Sequence, residues 1–386
     1  GGAGTYPIIP KIHAAARKEI HHVTVMDVQG DRIVGRAIDI DGNTFDAFVY
    51  DKQAPNSPEE FISYEIYTLE RDLGEAIQKL PIAKMDKKGV HVSEVLEIPN
   101  PFAVPIQMTF SWQNTNDWQV HPQQKSLMLQ PGSPIRLPIE AHGATSPSYP
   151  LPVAQVSFSK ADGEIAFRND RVTFYPIKLV PTQTIRVKNS KKPISVDGDL
   201  SDAAWDNALT TDDFIDAQGS ERPIRNVKVR LVRNDKTLYI AAQIEAPQGL
   251  TEKGSEGRDN ARAPRDDHFR VHIGAGDQAY TFLITAHGAE LDTRGKVTTE
   301  NLKWNSAFKA VAVATKTGWL TEMAIPLADL LVEGQPLRIN LARLDVTANR
   351  ECELSPTFGP SPLDHRVPMY QGDWERTAGF ASLVLK

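Results

Sequence analysis

The sequence predicts an all-β protein. It reads as two antiparallel β-sandwiches, a small one of the immunoglobulin or fibronectin kind and then a larger one, preceded by β-hairpins and one helix. Three observations carry this prediction. Apolar and polar residues alternate with period two over most of the chain, as in "VKVRLVRNDKTLYIAAQIEA". Turn signals of Gly, Asn, Asp and Pro separate these runs at short intervals. No strands alternate with long helical stretches, the pattern that a parallel sheet with helical crossovers requires.

The elements follow in order. Residues 20–50 predict two hairpins, "HHVTVMDVQGDRIVGRAIDI" turning at Gly30-Asp31 and "AIDIDGNTFDAFVY" turning at Asp41-Gly42-Asn43. "NSPEEFISYEIYTLERDLGEAIQKLP" then predicts an amphipathic helix. Ser57 stands three residues before Glu60, Pro58 takes the first helical position and Pro81 stops the run. Phe61, Ile62, Ile66, Leu69, Leu73, Ile77 and Leu80 supply its apolar stripe.

From Val90 the period returns to two, with proline-rich corners between short runs such as "NPFAVPIQMTFSW" and "YPLPVAQVSFS". These predict the small sandwich, with Trp112 and Trp118 as core and edge packing. Apolar density falls in "KLVPTQTIRVKNSKKP", which sets a boundary near Pro181. Beyond it, hairpins are predicted around Asn234-Asp235, Gly274 to Gly276 and Thr317-Gly318. In the last of these, Trp319, Thr321 and Met323 share one strand face, while Leu320, Glu322 and Ala324 share the other. The organisation expected is thus residues 1–89, 90–181 and 182–386.

Composition narrows the function. The chain has 386 residues, enough to bury sizeable cores, and 40% of them are hydrophobic. Its 43 basic and 49 acidic residues give a formal net charge of -6. That balance offers no basic field for a phosphate backbone or an anionic membrane, so neither nucleic acid nor membrane is an expected partner. No apolar run approaches the roughly 20 residues that span a bilayer. "GGAGTYPIIP" lacks the charged-then-apolar order of a signal peptide, so a cytoplasmic or an already trimmed chain is expected. Cys352 is the single cysteine, which excludes an internal disulfide and a cysteine-based zinc site.

One segment concentrates chemistry. "ISVDGDLSDAAW", Ile194 to Trp205, admits three readings: a metal loop, an acid cluster or the entrance to a fold. As an entrance, Gly198 makes a turn, Leu200 and Trp205 insert into the sandwich, and the polar residues satisfy turn backbone. As a metal loop, Asp197, Asp199 and Asp202 supply hard oxygen ligands to structural calcium, which takes about six to eight of them.

Catalytic patterns are not found. The full ligand set of a dinuclear phosphoesterase, Asp-x-His, Gly-Asp, Gly-Asn-His and Gly-His-x-His in that order, is missing: Gly-Asn-His and Gly-His-x-His do not occur, and the strand neighbours His21 and His22 point to opposite sides. A glycosidase needs two carboxylates about 5 to 10 Å apart across a cleft. Asp266, Asp267 and Glu322 are the carboxylates that stand out, but adjacent strand residues diverge. There is no Gly-x-Ser-x-Gly elbow and no phosphate-cradling Gly-Lys-Ser/Thr loop. The chain reads as non-catalytic.

Residues 182–386 carry an ordered set of signatures: "VDGDLSDAAW", "LYIAAQIEA" after an "RND" turn, "RDDHFRVHI", "GWLTEMAIPLADL", "LRINLARLD" and "DWERTAGFASLVL". In this order they resemble family 9 carbohydrate-binding modules. The resemblance implies a jelly-roll sandwich, a secreted or periplasmic location and often structural calcium. It also implies a sugar clamped between two aromatics beside polar partners. Trp374 matches the second aromatic, whereas Pro264 or Arg265 stands where the first belongs. Arg270 replaces the usual acidic partner and Leu283 the usual arginine.

By their places in these motifs, Trp374, Arg265, Asp267, Arg270 and Arg343 are the candidate ligand-binding residues. The excess of arginine among them suggests an acidic glycan, since a guanidinium grips carboxylate or sulfate by paired hydrogen bonds. Separately, "GGAGTYP" followed by "HHVTVMDVQGDRIVGRAIDIDGNTFDAF" resembles the C-terminal tail of calcineurin-like metallophosphoesterases.

Two functions are therefore expected. The first is a non-catalytic accessory region that binds carbohydrate for a larger secreted hydrolase. The alternative is a set of structural modules that pack on, or position, a metallophosphoesterase domain outside this chain.

Overall fold

The computed structural model describes residues 21–54, parts of 68–84, 89–143, 149–160, 167–180, 183–216, 224–250, 254, 257–259, 263–296, 299–301, 304–330, 335–355 and 379–385, apart from positions 103, 114, 175, 248, 277 and 349. By contact the chain divides into two units, Gly1–Pro81 with Lys88–Lys178, and Ile82–Lys87 with Leu179–Lys386. Three expectations lie outside the described residues: the glycine-rich start, the first turns of the helix and the loop that carries Trp374. Among the described residues no helix is long and apolar enough to cross a membrane.

In the first unit, β1 (His22–Gln29), β2 (Arg32–Asp39) and β3 (Thr44–Asp51) form an antiparallel meander whose turns fall where the Gly30 and Gly42 signals place them. Of the expected helix, residues 68, 69, 72, 73, 76 and 77 are helical. Leu69 and Leu73, four apart and so on one face, are buried. β4 (Ala83–Lys84) belongs to the second unit.

β5 (Val90–Ile98), β6 (Ile106–Gln113), β7 (Trp118–His121), β8 (Gln124–Leu129), β9 (Ile135–Gly143), β10 (Val153–Lys160) and β11 (Phe167–Phe174) make the small sandwich. Its sheets run β11-β10-β6-β8 and β5-β9-β7. Every second residue of the facing strands enters one core, among them Leu96, Ile98, Phe110, Leu137, Ile139 and Phe158, with Leu69 and Leu73 joining it. Trp118 is buried, its ring lying against Gly143, where a Cβ would collide with it. Trp112 packs edge-on to Phe110 with centroids 5.4 Å apart. Both indoles therefore serve packing, as expected.

The second unit begins with β12 (Leu179–Val180), parallel to β4, and β13 (Thr184–Val187). It continues through β14 (Leu209–Thr211), β15 (Ile215–Asp216), β16 (Val227–Arg233), β17 (Thr237–Glu245), β18 (His268–Ala275), β19 (Gln278–Thr285), β20 (Glu290–Lys296) and β21 (Thr299–Asn301). β22 (Lys309–Ala314), β23 (Gly318–Pro326), β24 (Leu337–Asp345), β25 (Arg350–Glu353) and β26 (Ala381–Leu385) complete it.

A five-stranded sheet, β14-β16-β17-β23-β22, faces a nine-stranded one ordered β13-β26-β24-β18-β19-β20-β21, with β15 and β25 attached beside β24. The three predicted hairpins are the β16–β17, β18–β19 and β22–β23 pairs. Gly318 opens β23 where a Cβ would run into the Ile244 carbonyl of β17, so β17 and β23 can lie this close there only on glycine. The unit closes by pairing β13 parallel to β26, a contact between its two ends that hairpin spacing does not announce.

Trp319, Met323 and Ile325 point between the sheets into the main core with Leu238, Ile240 and Phe269. Glu322 therefore faces away from that core, as the alternation of the strand requires.

Candidate functional site

Glu322 is nonetheless only 1% exposed, because the segment 194–208 straps across the outer face of the five-stranded sheet. Its Oε2 accepts the backbone N–H of Asp197 at 3.0 Å and of Gly198 at 2.7 Å. Its Oε1 accepts the indole N–H of Trp205 at 3.0 Å. Gly198 has φ +84 and a Cβ there would strike Val313, so the turn needs glycine for two reasons. Burial pushes the Glu322 carboxyl up, while the two backbone N–H groups and the indole pull the other way.

The expectation that Trp205 and Leu200 insert into the sandwich is corrected here. Trp205 is buried with Val232 and Ala241, and Leu200 packs beside it, on the outer face of the sheet rather than between the sheets. The inner face is already filled by Leu231, Leu238, Ile240 and Ala242 from the same strands.

The three acids of the strap support its turns. The Asp202 carboxylate accepts Ser195 N–H, Asp197 accepts Asp199 N–H, and Asp199 accepts both the N–H and the hydroxyl of Ser201. The carboxylate of Glu322, set aside at sequence level as a catalytic candidate, is fully engaged by this strap.

The other concentration of polar side chains lies on the outer face of the nine-stranded sheet. In β18, Phe269, Val271 and Ile273 enter the core, so His268, Arg270 and His272 stand on the opposite face. Register extends the row across neighbouring strands. Arg270 lies opposite Ala342 and Ala342 opposite Glu353, while His268 lies opposite Leu344 and Leu344 opposite Glu351. The small Ala342 lets long side chains meet above it, and Arg270 pairs with Glu351 and, at 3.7 Å, with Glu353. Arg270 is 12% exposed.

The flanking histidines are buried. His268 donates from Nδ1 to the Asp266 carbonyl at 2.9 Å, which leaves Nε2 as an acceptor with no partner among the described residues. Burial pulls its pKa down to about 3, helped by Arg270 and opposed by the Asp266 carbonyl. His272, 2.9 Å from the Thr281 hydroxyl, is held well below the usual histidine range by burial, then by Arg270 and His268. Both imidazoles are neutral at neutral pH and each offers one donor and one acceptor.

The sequence-derived candidates scatter. Arg270 sits in this row, and Arg265 is exposed in the short 3-10 turn that precedes β18. Asp267 is fully buried and accepts the Val346 N–H at 3.0 Å, fastening the start of β18 to the turn after β24. Arg343 lies opposite Phe269 in register and so points inward; it is 2% exposed and pairs with Asp345 at 2.7 Å. Asp267 and Arg343 thus do not join Arg270 on one rim, because strand alternation separates the faces. Cys352, opposite Arg343, is equally buried, and burial pushes its thiol up to about 12. Leu283, where the resemblance leads one to expect arginine, is packed with Ala263, Ala289 and Leu291.

His268, His272, Glu351 and Glu353 were not singled out from the sequence. The period-two pattern of "HFRVHI" and "ECE" carries the signal for their faces, but the pairing of β24 with β25 does not follow from it.

Residues 196–353 match the family described as Carbohydrate family 9 binding domain-like. Solved structures similar to the chain include a protein from Bacteroides uniformis described as carbohydrate-binding, at 13% identity over 53% of this chain and 99% of that one, TM-score 0.40. They also include a family 9 carbohydrate-binding module from Caldicellulosiruptor kristjanssonii. Its complex with glucose aligns at 15% identity over 52% of this chain and 96% of that one, TM-score 0.35. Its complex with cellotriose aligns at 16% over 52% and 94%, TM-score 0.34. No curated protein matches the chain. The family match begins at the strap and ends at β25, so it takes in both Glu322 and the Arg270 row.

Proposed function

We propose that the second unit is a non-catalytic carbohydrate-binding module whose ligand meets the outer face of the nine-stranded sheet around Arg270. The observation that carries this reading is the His268–Arg270–His272 row with Glu351 and Glu353, which lies within the segment matching a carbohydrate-binding family. Where the resemblance leads one to expect a carboxylate on β18 and an arginine on β19, this chain has the arginine on β18 and two carboxylates on β25. Arg270 and Glu351, the members of the row with part of their side chains exposed, still offer the donors and acceptors that sugar hydroxyls need. Two carboxylates beside the guanidinium among the described residues favour a neutral, hydroxyl-rich sugar over the acidic one suggested by counting arginines.

Trp374 supplies the stacking face in this reading, and secretion or a periplasmic location and a hydrolase partner domain belong to it. Calcium at Asp197, Asp199 and Asp202 enters it as a structural ion, tested by whether calcium raises the melting temperature. The function itself is tested by calorimetry of the full chain against neutral and acidic oligosaccharides. A neutral oligosaccharide should bind, and Trp374→Ala and Arg270→Gln should weaken it. A folded chain that binds no sugar would overturn the proposal.

A different observation favours the second reading, packing on another domain. Among the described strands β1 is the outer one of its sheet, and its Val23, Met26 and Val28 are 61%, 59% and 65% exposed. Exposed apolar side chains on an outer strand invite a partner surface. In this reading the β1–β3 meander docks on a metallophosphoesterase domain. Co-purification of such a domain with wild type but not with Val23→Lys/Val28→Lys would support it.

A further inference from the structure

In the small sandwich, the solvent face of the β5-β9-β7 sheet carries a group of side chains that neither reading uses. Leu96, Ile98, Leu137 and Ile139 turn into the core, so His91 of β5 and Glu140 and His142 of β9 turn outward. His91 and His142 are direct cross-strand partners, and Glu140 is two residues from His142, hence on the same face. His91 Nδ1 lies 2.9 Å from His142 Nε2, and His142 Nε2 lies 3.7 Å from Glu140 Oε1. One donor atom from each of the three lies within 4.8 Å of the others. Ligand atoms about 2.0–2.1 Å from a tetrahedral ion stand roughly 3.3 Å apart, and the two separations here straddle that value. His121 of β7, in register with Glu140, shares the face.

We propose that His91, Glu140 and His142 form a binding site for a divalent late transition-metal ion of the zinc class. Two imidazoles and one carboxylate suit zinc, nickel or copper, whereas calcium and magnesium require mostly oxygen donors. Three protein ligands leave at least one position for water or an outside donor, the arrangement of an open zinc site rather than a closed structural one. The strands hold the donors in place without an ion, because the sheet is anchored by its own apolar face. The glutamate and His142 are about half exposed, at 45% and 50%, so an ion can enter from solvent and the side chains can be replaced without disturbing the core. The site stands independently of the carbohydrate reading, since it lies in the other unit.

The test is calorimetric titration of the tag-free, chelator-treated full chain with zinc chloride, and in parallel with calcium chloride. Zinc should bind with one saturable site that calcium does not fill. His91→Ala, His142→Ala and Glu140→Gln should each weaken it more than about tenfold, since even residues that merely support a metal ligand typically contribute ten- to hundredfold. Gln119→Ala, on the same face, and His21→Ala/His22→Ala should leave it unchanged. Circular dichroism and melting temperature confirm that each variant is folded, and the shape-preserving Glu140→Gln guards against a folding artefact. Zinc affinity unaltered in His91→Ala/His142→Ala, or no zinc binding by the folded wild type, would overturn the proposal.

Discussion

Replacing Glu322 should loosen the strap over the five-stranded sheet. Its carboxylate is 1% exposed and accepts three hydrogen bonds, two from the backbone of the Asp197–Gly198 turn and one from the Trp205 indole. Hydrogen bonds to a charged group contribute about 1.5–3 kcal/mol each, and bonds that share one carboxylate do not add in full. Glu322→Ala, which also leaves the buried indole N–H and two part-buried backbone N–H groups without their acceptor, should therefore cost about 3–5 kcal/mol.

Glutamine is no rescue. An amide has one acceptor oxygen, so whichever way it turns, its NH2 group faces either the indole N–H or the two backbone N–H groups. Glu322→Gln should cost about 2–3 kcal/mol on the same grounds. Urea denaturation gives the magnitude, and hydrogen exchange at residues 195–205 locates it. A double-mutant cycle with Trp205→Phe should return a coupling of about 1.5–3 kcal/mol. If Glu322→Gln matched wild type in stability with unchanged protection of the Gly198 amide, the carboxylate would not be the fastening.

Two further outcomes follow from burial. His268 has its pKa lowered to about 3, so between that value and 6.5 the unfolded chain binds more protons and stability rises with pH. The contribution is whole above pH 6.5 and lost as pH falls toward 3; at about 1.4 kcal/mol per unit, His268→Gln should flatten the acid limb by up to about 5 kcal/mol, and an unchanged slope would contradict it. Trp319, 1% exposed in the main core, should cost about 3–5 kcal/mol as Trp319→Ala, read as a lowered melting temperature.

Hairpins and strand faces were legible in the sequence because both depend on neighbours in the chain. The turn at Asn234-Asp235 and the inward Trp319 follow from local pattern alone. What was not legible depends on which distant strands meet. Nothing in "ISVDGDLSDAAW" says that its apolar residues cover the outside of a sheet rather than fill the inside, since a buried indole looks the same in sequence either way. Arg343 shows the same limit. Its motif suggested a rim, but being an even number of residues from Leu341 and Ile339 turns it inward, and the clue was the alternation rather than the charge. The metal-ligand candidates His91 and His142 are 51 residues apart, and only the β5–β9 register joins them.

The charge of the Arg270 row decides which sugars it can accept. Among the described residues of the row, Arg270 contributes one positive charge, Glu351 and Glu353 contribute two negative ones, and the flanking histidines none at neutral pH. Arg265 is exposed with Asp266 beside it, so water and that neighbour screen its charge. A uronate carboxylate brought within about 5 Å of a glutamate carboxylate of the row meets a repulsion of roughly 3 kcal/mol from it at an effective dielectric constant near 20. Affinity for a uronic-acid oligomer should then fall roughly a hundredfold below that for its neutral counterpart. Glu351→Gln removes one of these carboxylates, and the gap should close to within about tenfold. Paired titrations of neutral and uronate oligomers against both proteins measure this. A wild type that prefers the uronate would show that the arginine, not the glutamates, faces the ligand, and would restore the acidic glycan as the substrate class.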